Sequence, residues 1–438
     1  MIRLLTTAAL GVEGIVRALA RPHGDAAPDL VARVAAIVDD VRRHGDAALV
    51  ELTKRFDGVE LPLEGLRVSE TEWAAAAVPA DLQASLEEAA RRIEGFHRHQ
   101  LPRSWWIRDE HGSLLGQQVT PIDRVGCYVP GGTAAYPSTV LMTLIPARVA
   151  GVRELVVVSP PGPDGRLNPT VLAAARLGGA TEVFKVGGAQ AVAALAFGTE
   201  TIRRVDKIVG PGNVYVALAK RLVFGEVGID TIAGPSEVVV VADATADPRH
   251  VAADLLAQAE HDTEARAVCL TDAPRLADAV CAELARQCPR LPRAAIADAA
   301  VRSHGAVVLT RDIAEALEIA NRLAPEHLEL AVADPFGWLA AVRHAGAIFL
   351  GSHTPEVVGD YLAGPNHVLP TGATARFASG LSVEDFVTRS SLIHYSPAGL
   401  RAAWPHLARL AAAEGLQAHS EAARLRVEGL GPLPKEGD

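Results

Sequence analysis

The sequence predicts an α/β protein in which helices cover parallel β-sheets. From residue 124 onward, short apolar runs of strand length alternate with runs that have helical spacing, which is the pattern of parallel, helix-covered sheets. Of the 438 residues, 49% are hydrophobic but only 4% are aromatic, so an aliphatic core is expected, as in sheets buried on both faces. The length corresponds to about two or three domains.

The individual elements follow from the hydrophobic period and from capping signals. Residues 29–56 and 69–98 have apolar side chains at helical spacing, and residues 104–119 alternate polar and apolar residues as a strand and turn do. Asp247-Pro248 combines a capping residue with a first-turn proline, so a helix is expected to run from there toward His261. After Asp385 the chain is rich in Ala, Leu and Arg and is predicted to be helical. The predicted strands of the alternating part are 155–159, 182–186, 207–209, 237–241 and 267–270.

Charge and cysteine usage exclude several classes of partner. The formal net charge is −10, and no run of lysine and arginine stands out, so neither nucleic acid nor an anionic membrane surface is expected as a partner. Residues 125–147 are uncharged and long enough to span a bilayer, but Pro130, Pro137 and Pro146 would interrupt such a helix. The four cysteines lack CxxC spacing and the start lacks a secretory signal pattern, which together favour a cytoplasmic location.

Two segments far apart in the chain carry residue types that suit a metal ion. Gln258-Ala-Glu-His261 lies near the end of a predicted helix, where residues three apart share one face. Glu414-Gly-Leu-Gln-Ala-His419 lies near the C-terminus. Imidazole, carboxylate and amide oxygen are ligands for zinc or another first-row metal. The alternatives are a polar pair at a helix C-terminus, where histidine is favourable anyway, and a solvated face of an amphipathic tail.

Between these segments lie residues that suit proton transfer. Glu326-His327 follows a helix stopped by Pro325 and precedes a strand-like run. A histidine can take a proton from an alcohol, and a neighbouring carboxylate can orient a water molecule. An ordinary surface pair is the alternative. Asp360 lies in a run rich in Gly, Pro, Asn and His, which indicates either a loop that lines a site or a helix-end turn.

Glycine turns follow three of the predicted strands and precede helices. They are Pro130-Gly-Gly132, Gly187-Gly188 and Gly210-Pro-Gly-Asn213. Backbone N–H groups at such turns can bind a pyrophosphate. None of the three has the GxGxxG spacing of a dinucleotide fingerprint, and tight strand-to-helix turns explain them equally well.

Taken in order, these strings resemble the histidinol dehydrogenase family over nearly the whole chain. The strings that carry the resemblance are Gly126-Cys-Tyr-Val-Pro-Gly-Gly132, Ser138-Thr-Val-Leu-Met142, Lys185-Val-Gly-Gly-Ala-Gln190, Lys207-Ile-Val-Gly-Pro-Gly-Asn213, Ala233-Gly-Pro-Ser-Glu237, Asp254-Leu-Leu-Ala-Gln-Ala-Glu-His-Asp262, Ala324-Pro-Glu-His327 and Gly359-Asp-Tyr-Leu-Ala-Gly-Pro-Asn-His367. The resemblance implies zinc-dependent oxidation of L-histidinol to L-histidine, the last step of histidine biosynthesis. A retained histidinal intermediate and the reduction of two NAD+ are also implied.

The resemblance also implies roles for individual residues, with one zinc ion per subunit. The residues that match zinc ligands are Gln258, His261, Asp360 and His419. Glu326 and His327 match the proton-transfer pair. The residues that match NAD contacts are Tyr128, Gln190 and Asn213. The residues that match substrate contacts, beside the zinc ligands themselves, are Ser236, His327 and Glu414.

The architecture implied is two Rossmann-like parallel-sheet domains with an N-terminal arm and a helical tail. The expected boundaries are 1–25 for the arm, 26–128 with 237–380 for the domain of the metal and catalytic residues, 129–236 for the NAD domain, and 381–438 for the tail. The family resemblance implies a homodimer in which the tail reaches the partner's site. A related NAD-dependent dehydrogenase of another amino or sulfonated alcohol is the nearest alternative. A zinc hydrolase and a metal-binding protein without activity are more distant ones.

Overall fold

Parallel β-sheets flanked by helices form most of the described chain, which confirms the predicted α/β class. The computed structural model describes residues 2–20, 27–131, 135–232 and 234–429. The chain divides into two compact units. The larger unit comprises the residues up to Gln100 together with Ile122–Phe386, and the smaller unit comprises Leu101–Pro121 and the residues from Val387 onward.

The strands and helices are numbered in chain order. The strands are β1 (Arg3–Thr6), β2 (Trp105–Arg108), β3 (Leu114–Pro121), β4 (Arg124–Tyr128), β5 (Glu154–Ser159), β6 (Glu182–Lys185), β7 (Lys207–Val209), β8 (Gly228–Ile229), β9 (Glu237–Ala242), β10 (Arg266–Thr271), β11 (Ala306–Leu309), β12 (His327–Ala331), β13 (Ala347–Leu350) and β14 (Val387–His394). The helices are α1 (Thr7–Leu19), α2 (Pro28–Asp57), α3 (Glu70–Ala75), α4 (Ala80–Arg98), α5 (Pro137–Ala150), α6 (Pro169–Gly178), α7 (Gly188–Phe197), α8 (Val214–Val223), α9 (Pro248–Ala259), α10 (Pro274–Gln287), α11 (Ala294–His304), α12 (Ile313–Leu323), α13 (Pro335–Trp338), α14 (Glu356–Tyr361), α15 (Pro397–Ala413) and α16 (Gln417–Glu428).

The larger unit contains two parallel sheets that share one strand order. The five-stranded sheet has the order β6-β5-β4-β7-β8, which is the 3-2-1-4-5 order of doubly wound folds. The six-stranded sheet has the order β1-β11-β10-β9-β12-β13, so its strands from β9 onward repeat that order. The predicted N-terminal arm thus supplies an edge strand, β1, to the six-stranded sheet.

Both faces of these sheets are buried, as the aliphatic composition predicts. All six residues of β9 are buried. Val238 and Val240 pack into one hydrophobic cluster, whereas Val239 and Val241 pack into another. Successive side chains of a strand point to opposite faces, so each face of the sheet has its own core.

Two predicted helical regions compare differently with the structure. Helix α2 covers the helical region predicted at 29–56, but Gly45, with a φ of +53° and a ψ of −131°, interrupts it with a kink. The helix predicted at 69–98 is instead two helices, α3 and α4, and Pro79 immediately precedes the second. The residue before a proline is disfavoured in the helical conformation, which explains the break. The predicted start at Asp247 is confirmed, because its carboxylate accepts the N–H of Arg249 at 2.8 Å.

Sheet membership differs from the expected domain boundaries at β4. This strand was placed in the domain of the metal residues, but it pairs with β5 and β7 in the five-stranded sheet. The apolar run of β4 continues directly into a glycine turn, so the sequence has no linker that would mark the earlier boundary. The end of the predicted glycine turn at Gly132 lies outside the described residues.

The smaller unit combines a sheet with the helical tail that was predicted. Its three-stranded antiparallel sheet has the order β14-β3-β2. Helices α15 and α16 follow β14 and pack on each other. In the part of the chain that is described, no helix combines the length and the apolar character that crossing a bilayer requires.

Candidate active site

The proton-transfer pair lies where β12 begins, beside the start of β9. His327 is the first residue of β12 and pairs in register with Val238. Its Nδ1 atom lies 3.1 Å from the carbonyl oxygen of Glu237. Donation of the Nδ1 proton to this carbonyl satisfies a buried acceptor and leaves Nε2 as the proton-accepting nitrogen. Burial lowers the pKa of His327 to about 4, so the imidazole is neutral and able to act as a base near pH 7.

Glu326 is held by the same strand pair. Its carboxylate accepts the backbone N–H of Glu237 at 2.9 Å, and its Oε2 lies 3.7 Å from Nδ1 of His327. Both side chains are buried. The register of β9 against β12 therefore fixes the positions of Glu326 and His327 relative to each other. Ser236 precedes β9 at the same place, where its carbonyl accepts the N–H of Arg266 at 3.0 Å.

Helices α9 and α14 bring candidate metal ligands together. His261 follows the C-terminus of α9, and Asp360 lies on α14. His261, Asp360 and Glu356 each offer a ligand atom, and these atoms all lie within 4.8 Å of one another. An imidazole and two carboxylates at this spacing are a suitable donor set for zinc or a related first-row ion.

The Gln258 amide is the clearest sign that these residues suit a cation. Gln258 lies on the last turn of α9 and is 0% exposed. Neither its oxygen nor its nitrogen has a hydrogen-bond partner among the described residues. A buried amide without partners costs about 1–3 kcal/mol. The residues at this position therefore fit a bound cation, which would accept the amide oxygen as a ligand.

Glu356 is a site residue that the sequence analysis missed. It is 1% exposed, and its Oε1 lies 3.6 Å from Nδ1 of His327. Burial, followed by the negative charge of Asp360, raises the pKa of Glu356 well above its usual range. A signal was present, because Thr354-Pro355 is typical of a helix start. Glu356 precedes Asp360 by four residues, and residues at this spacing share one helix face.

His367 connects this group to the helix that follows β4. Its Nε2 lies 3.1 Å from Oγ1 of Thr139 on α5, and its Nδ1 lies 3.9 Å from the Asp360 carboxylate. The neighbouring Asn366 donates to the carbonyl of Met142 at 2.5 Å. These contacts attach the segment after α14 to α5. The metal-ligand group is thereby held against the part of the unit that carries the five-stranded sheet.

The remaining two predicted site residues belong to the smaller unit. Glu414 follows α15 and His419 lies on α16, and both are exposed. The larger unit by itself therefore contains three of the four predicted metal ligands, namely Gln258, His261 and Asp360.

The predicted cofactor residues all lie at the carboxyl edge of the five-stranded sheet. Tyr128 ends β4, and its hydroxyl accepts the N–H of Gly188 at 3.0 Å. Gln190 is buried in the first turn of α7. Asn213 caps α8 by accepting the N–H groups of Tyr215 and Val216 at 3.0 and 3.2 Å. This edge presents the N-termini of α7 and α8, which suit an anionic group such as a pyrophosphate.

The turn after β7 approaches β4 so closely that only glycine fits. Gly210 has a φ of +112°, and a Cβ there would lie 2.2 Å from the carbonyl oxygen of Tyr128.

Asp57, at the end of α2, is a carboxyl group with a shifted pKa that the sequence did not single out. Burial raises the pKa of Asp57 to about 6, and its Oδ2 has no hydrogen-bond partner among the described residues.

A candidate proton-transfer pair, a candidate metal-ligand group and a doubly wound sheet with glycine turns together indicate a dehydrogenase. The histidinol dehydrogenase family model matches residues 20–427. The chain is 56% identical to the histidinol dehydrogenase of Geobacillus kaustophilus over 90% of this chain and 92% of that protein. It is 51% identical to the histidinol dehydrogenase of a Synechococcus strain, over 98% of this chain and 100% of that protein.

A solved structure agrees with these relatives. Histidinol dehydrogenase from Elizabethkingia anophelis matches with a TM-score of 0.93 and 36% identity, over 98% of this chain and 99% of that one. The chain therefore belongs to the histidinol dehydrogenase family and is a dehydrogenase of histidine biosynthesis. The predicted family is confirmed, and family membership supports the predicted NAD-dependent activity.

Proposed function

We propose that this protein oxidises L-histidinol to L-histidine through a retained histidinal intermediate, with two NAD+ reduced. Oxidation of a primary alcohol to an acid removes four electrons, and each NAD+ accepts two of them as a hydride. The observation that carries the proposal is the buried, unpartnered amide of Gln258. It lies three residues before His261, which converges with Asp360 and Glu356, and Glu356 lies 3.6 Å from the base His327.

The proposed zinc ligands are Gln258, His261 and Asp360 from the larger unit and His419 from the smaller one. When bound, the ion supplies an anchor for the imidazole and amine of the substrate, which lowers the entropic cost of orientation. The donor set supports this assignment because zinc accepts nitrogen and oxygen ligands of these types.

His327 is the proposed general base for the alcohol. Its Nδ1 proton is directed at the carbonyl of Glu237, so Nε2 is free to take the hydroxyl proton while the hydride leaves for the nicotinamide. Its low pKa, caused by burial, keeps the acceptor nitrogen unprotonated before the reaction.

Glu326 is the proposed base for hydration of the aldehyde. Its carboxylate is oriented by the N–H of Glu237, and a carboxylate held in this way can take a proton from a water molecule. During hydration the protonated His327 returns its proton to the carbonyl oxygen, so its Nε2 can take a proton from the hydrate as the second hydride leaves. Ser236 and Glu414 are the further proposed substrate contacts, and the Glu414 carboxylate suits a substrate ammonium group.

NAD+ is proposed to bind at the carboxyl edge of the five-stranded sheet, in contact with Tyr128, Gln190 and Asn213. The N-termini of α7 and α8 favour its pyrophosphate. The doubly wound strand order supports this position, because ligands of such sheets bind outside the carboxyl ends of the strands.

The stoichiometry of the reaction tests the proposed function. We expect two NADH for each histidinol consumed, measured by absorbance against histidine formed. A yield of one would indicate an alcohol-to-aldehyde enzyme instead. Other amino alcohols and sulfonated diols serve as competing substrates, and preference for one of them would favour the related dehydrogenase.

We also propose a homodimer in which Glu414 and His419 complete the partner's site. The test mixes a His419→Ala chain with a His261→Ala chain, refolded or co-expressed together. Each homodimer is expected to be inactive, and the mixed dimer is expected to regain activity at one of its two sites. Absence of any recovery in an isolated mixed dimer would contradict shared sites.

A further inference from the structure

We propose that Glu356 is a further metal-binding residue of this centre, so that the larger unit can hold the ion with its own side chains. The inference depends on the metal centre described under the proposed function and adds a ligand to it. Three ligand atoms, from His261, Glu356 and Asp360, lie within 4.8 Å of one another. A single cation can therefore touch all three after small side-chain adjustments.

The Glu356 side chain has no alternative partner that explains its position. Its Oε2 is buried and has no hydrogen-bond partner among the described residues. Its Oε1 lies 3.6 Å from Nδ1 of His327, which is too long for a hydrogen bond, and that nitrogen already faces the carbonyl of Glu237. A buried carboxylate without a partner is costly. A bound cation would offset the cost directly.

The Gln258 amide is an independent observation that points to the same ligand. It is fully buried and unpartnered, and it lies on the last turn of α9, three residues before His261. Two buried side chains without partners, from α9 and α14, thus accompany the converging group. Among the described residues, neither side-chain polar atom of Gln258 and not Oε2 of Glu356 has the hydrogen bond that a purely structural role would supply.

The number of donors in the larger unit is then sufficient for the ion. Gln258, His261, Glu356 and Asp360 supply an amide, an imidazole and two carboxylates, and zinc in proteins is usually held by four ligands. The predicted ligand His419 belongs to the smaller unit. We infer that the ion loads on the larger unit first and that His419 adds to an ion already held.

The experiment measures zinc affinity of the full-length, metal-free protein by competition with a chromophoric chelator. Glu356→Gln preserves shape and removes the charge. We expect it to weaken zinc binding by about tenfold or more, the range seen when supporting residues of metal sites are removed. His419→Ala is expected to retain zinc, whereas Glu356→Gln combined with His419→Ala is expected to lose it at the same chelator concentration.

Glu326→Gln is the matched control. Glu326 is a buried glutamate whose Oε2 lies at a similar distance, 3.7 Å, from Nδ1 of His327, but it is not part of the converging group. We expect this variant to bind zinc as the unmodified protein does. Equal affinity in the Glu356→Gln and control variants would overturn the inference.

Stability measurements separate metal binding from a structural role. Glu356→Gln replaces a buried carboxyl group that has no partner at Oε2 with a neutral amide of the same shape, so the melting temperature of the metal-free protein is expected to stay equal or rise. The increase in melting temperature on adding zinc is expected to shrink. If Glu356→Gln is instead less stable without metal, Glu356→Asp is the second test. Zinc affinity that is restored in Glu356→Asp supports the inference. Zinc affinities that merely decrease in proportion to the stabilities of the two variants overturn it.

These outcomes are distinct from failure of the proposed function. A protein that oxidises histidinol but binds zinc equally well as Glu356→Gln would overturn only the additional ligand. A protein that needs Glu356 for zinc but yields no NADH from histidinol would overturn only the proposed reaction.

Discussion

The two parallel sheets of the larger unit have the same strand order but carry their candidate site residues at opposite edges. In the five-stranded sheet, Tyr128, Gln190 and Asn213 end or follow strands, so they lie at the carboxyl edge. In the six-stranded sheet, Ser236 and His327 precede or begin strands, so they lie at the amino edge. The usual position of ligands in open α/β sheets is the carboxyl edge, and only one of the two sheets follows it.

The difference agrees with the charges of the proposed ligands. At a carboxyl edge, helices begin, and their N–H groups and positive dipole ends favour an anion such as a pyrophosphate. At an amino edge, helices end, and their carbonyl groups favour a cation. Gln258 and His261 lie at the C-terminus of α9, directly before β10. One fold pattern therefore provides both an anion site and a cation site.

The largest expected effect is on the chemical step at the amino edge. His327→Asn removes the proposed general base, and we expect kcat to fall by about 10²–10⁴-fold. NAD binding at the other edge should be unchanged, as followed by fluorescence quenching. The exposed His353→Asn is the control for loss of an imidazole near α14. A His327→Asn enzyme with kcat close to that of the control would contradict the assignment.

The second expected effect is on ligand binding, and it compares one buried glutamine at each edge. Gln258→Leu is expected to weaken zinc binding about tenfold, and to raise the free energy of unfolding of the metal-free protein by about 1–3 kcal/mol because an unpartnered amide is removed. Gln190→Leu is expected to weaken NAD binding and leave zinc affinity unchanged. Zinc competition and urea unfolding measure both. Zinc loss in the Gln190 variant would show that the edges are not independent.

The carboxyl edge was predictable from the sequence because its signals are local. Strand, glycine turn and helix follow one another within about ten residues, and the requirement for glycine at Gly210 arises from the neighbouring strand alone. The amino edge was only partly predictable. Each of its two residue pairs is local in sequence: Gln258 and His261 are three residues apart, and Glu326 and His327 are consecutive. Their meeting depends on the register of β9 against β12 and on the placement of α14, which no local pattern encodes.

Glu356 shows most clearly which site residues could not be predicted from the sequence. By itself it is an ordinary acidic residue in the first turn of a helix, where a negative charge is favourable anyway. Its burial and its approach to His261 exist only once α14 is packed against α9. The division between β4 and the six-stranded sheet was missed for a related reason, because strand pairing rather than sequence order determines which sheet a strand joins.

A smaller effect is expected at the carboxyl edge from Tyr128→Phe. The change removes the hydroxyl that accepts the N–H of Gly188 and leaves that donor without its partner, which costs about 1 kcal/mol. We expect NAD affinity to fall by about fivefold, since the turn before α7 is less well fixed. The exposed Tyr395→Phe of the smaller unit is the control. Titration with NAD measures both, and equal affinities would argue against a role for the hydroxyl.

The last expected effect is on the pH dependence of stability, and it again concerns the amino edge. Folded His327 has a pKa of about 4, whereas an unfolded histidine has a pKa of about 6.5. Between these values the unfolded chain binds a proton that the folded chain does not, so the free energy of unfolding falls as the pH drops through this window and is unaffected by this group above it. His327→Asn removes the contribution, so its stability should depend less steeply on pH than that of the unmodified protein. Urea unfolding of the metal-free proteins between about pH 7 and about pH 5 measures the two slopes. Identical slopes would mean that burial does not keep His327 neutral. The proposal that Nε2 of His327 is unprotonated before the reaction would then lose its physical basis.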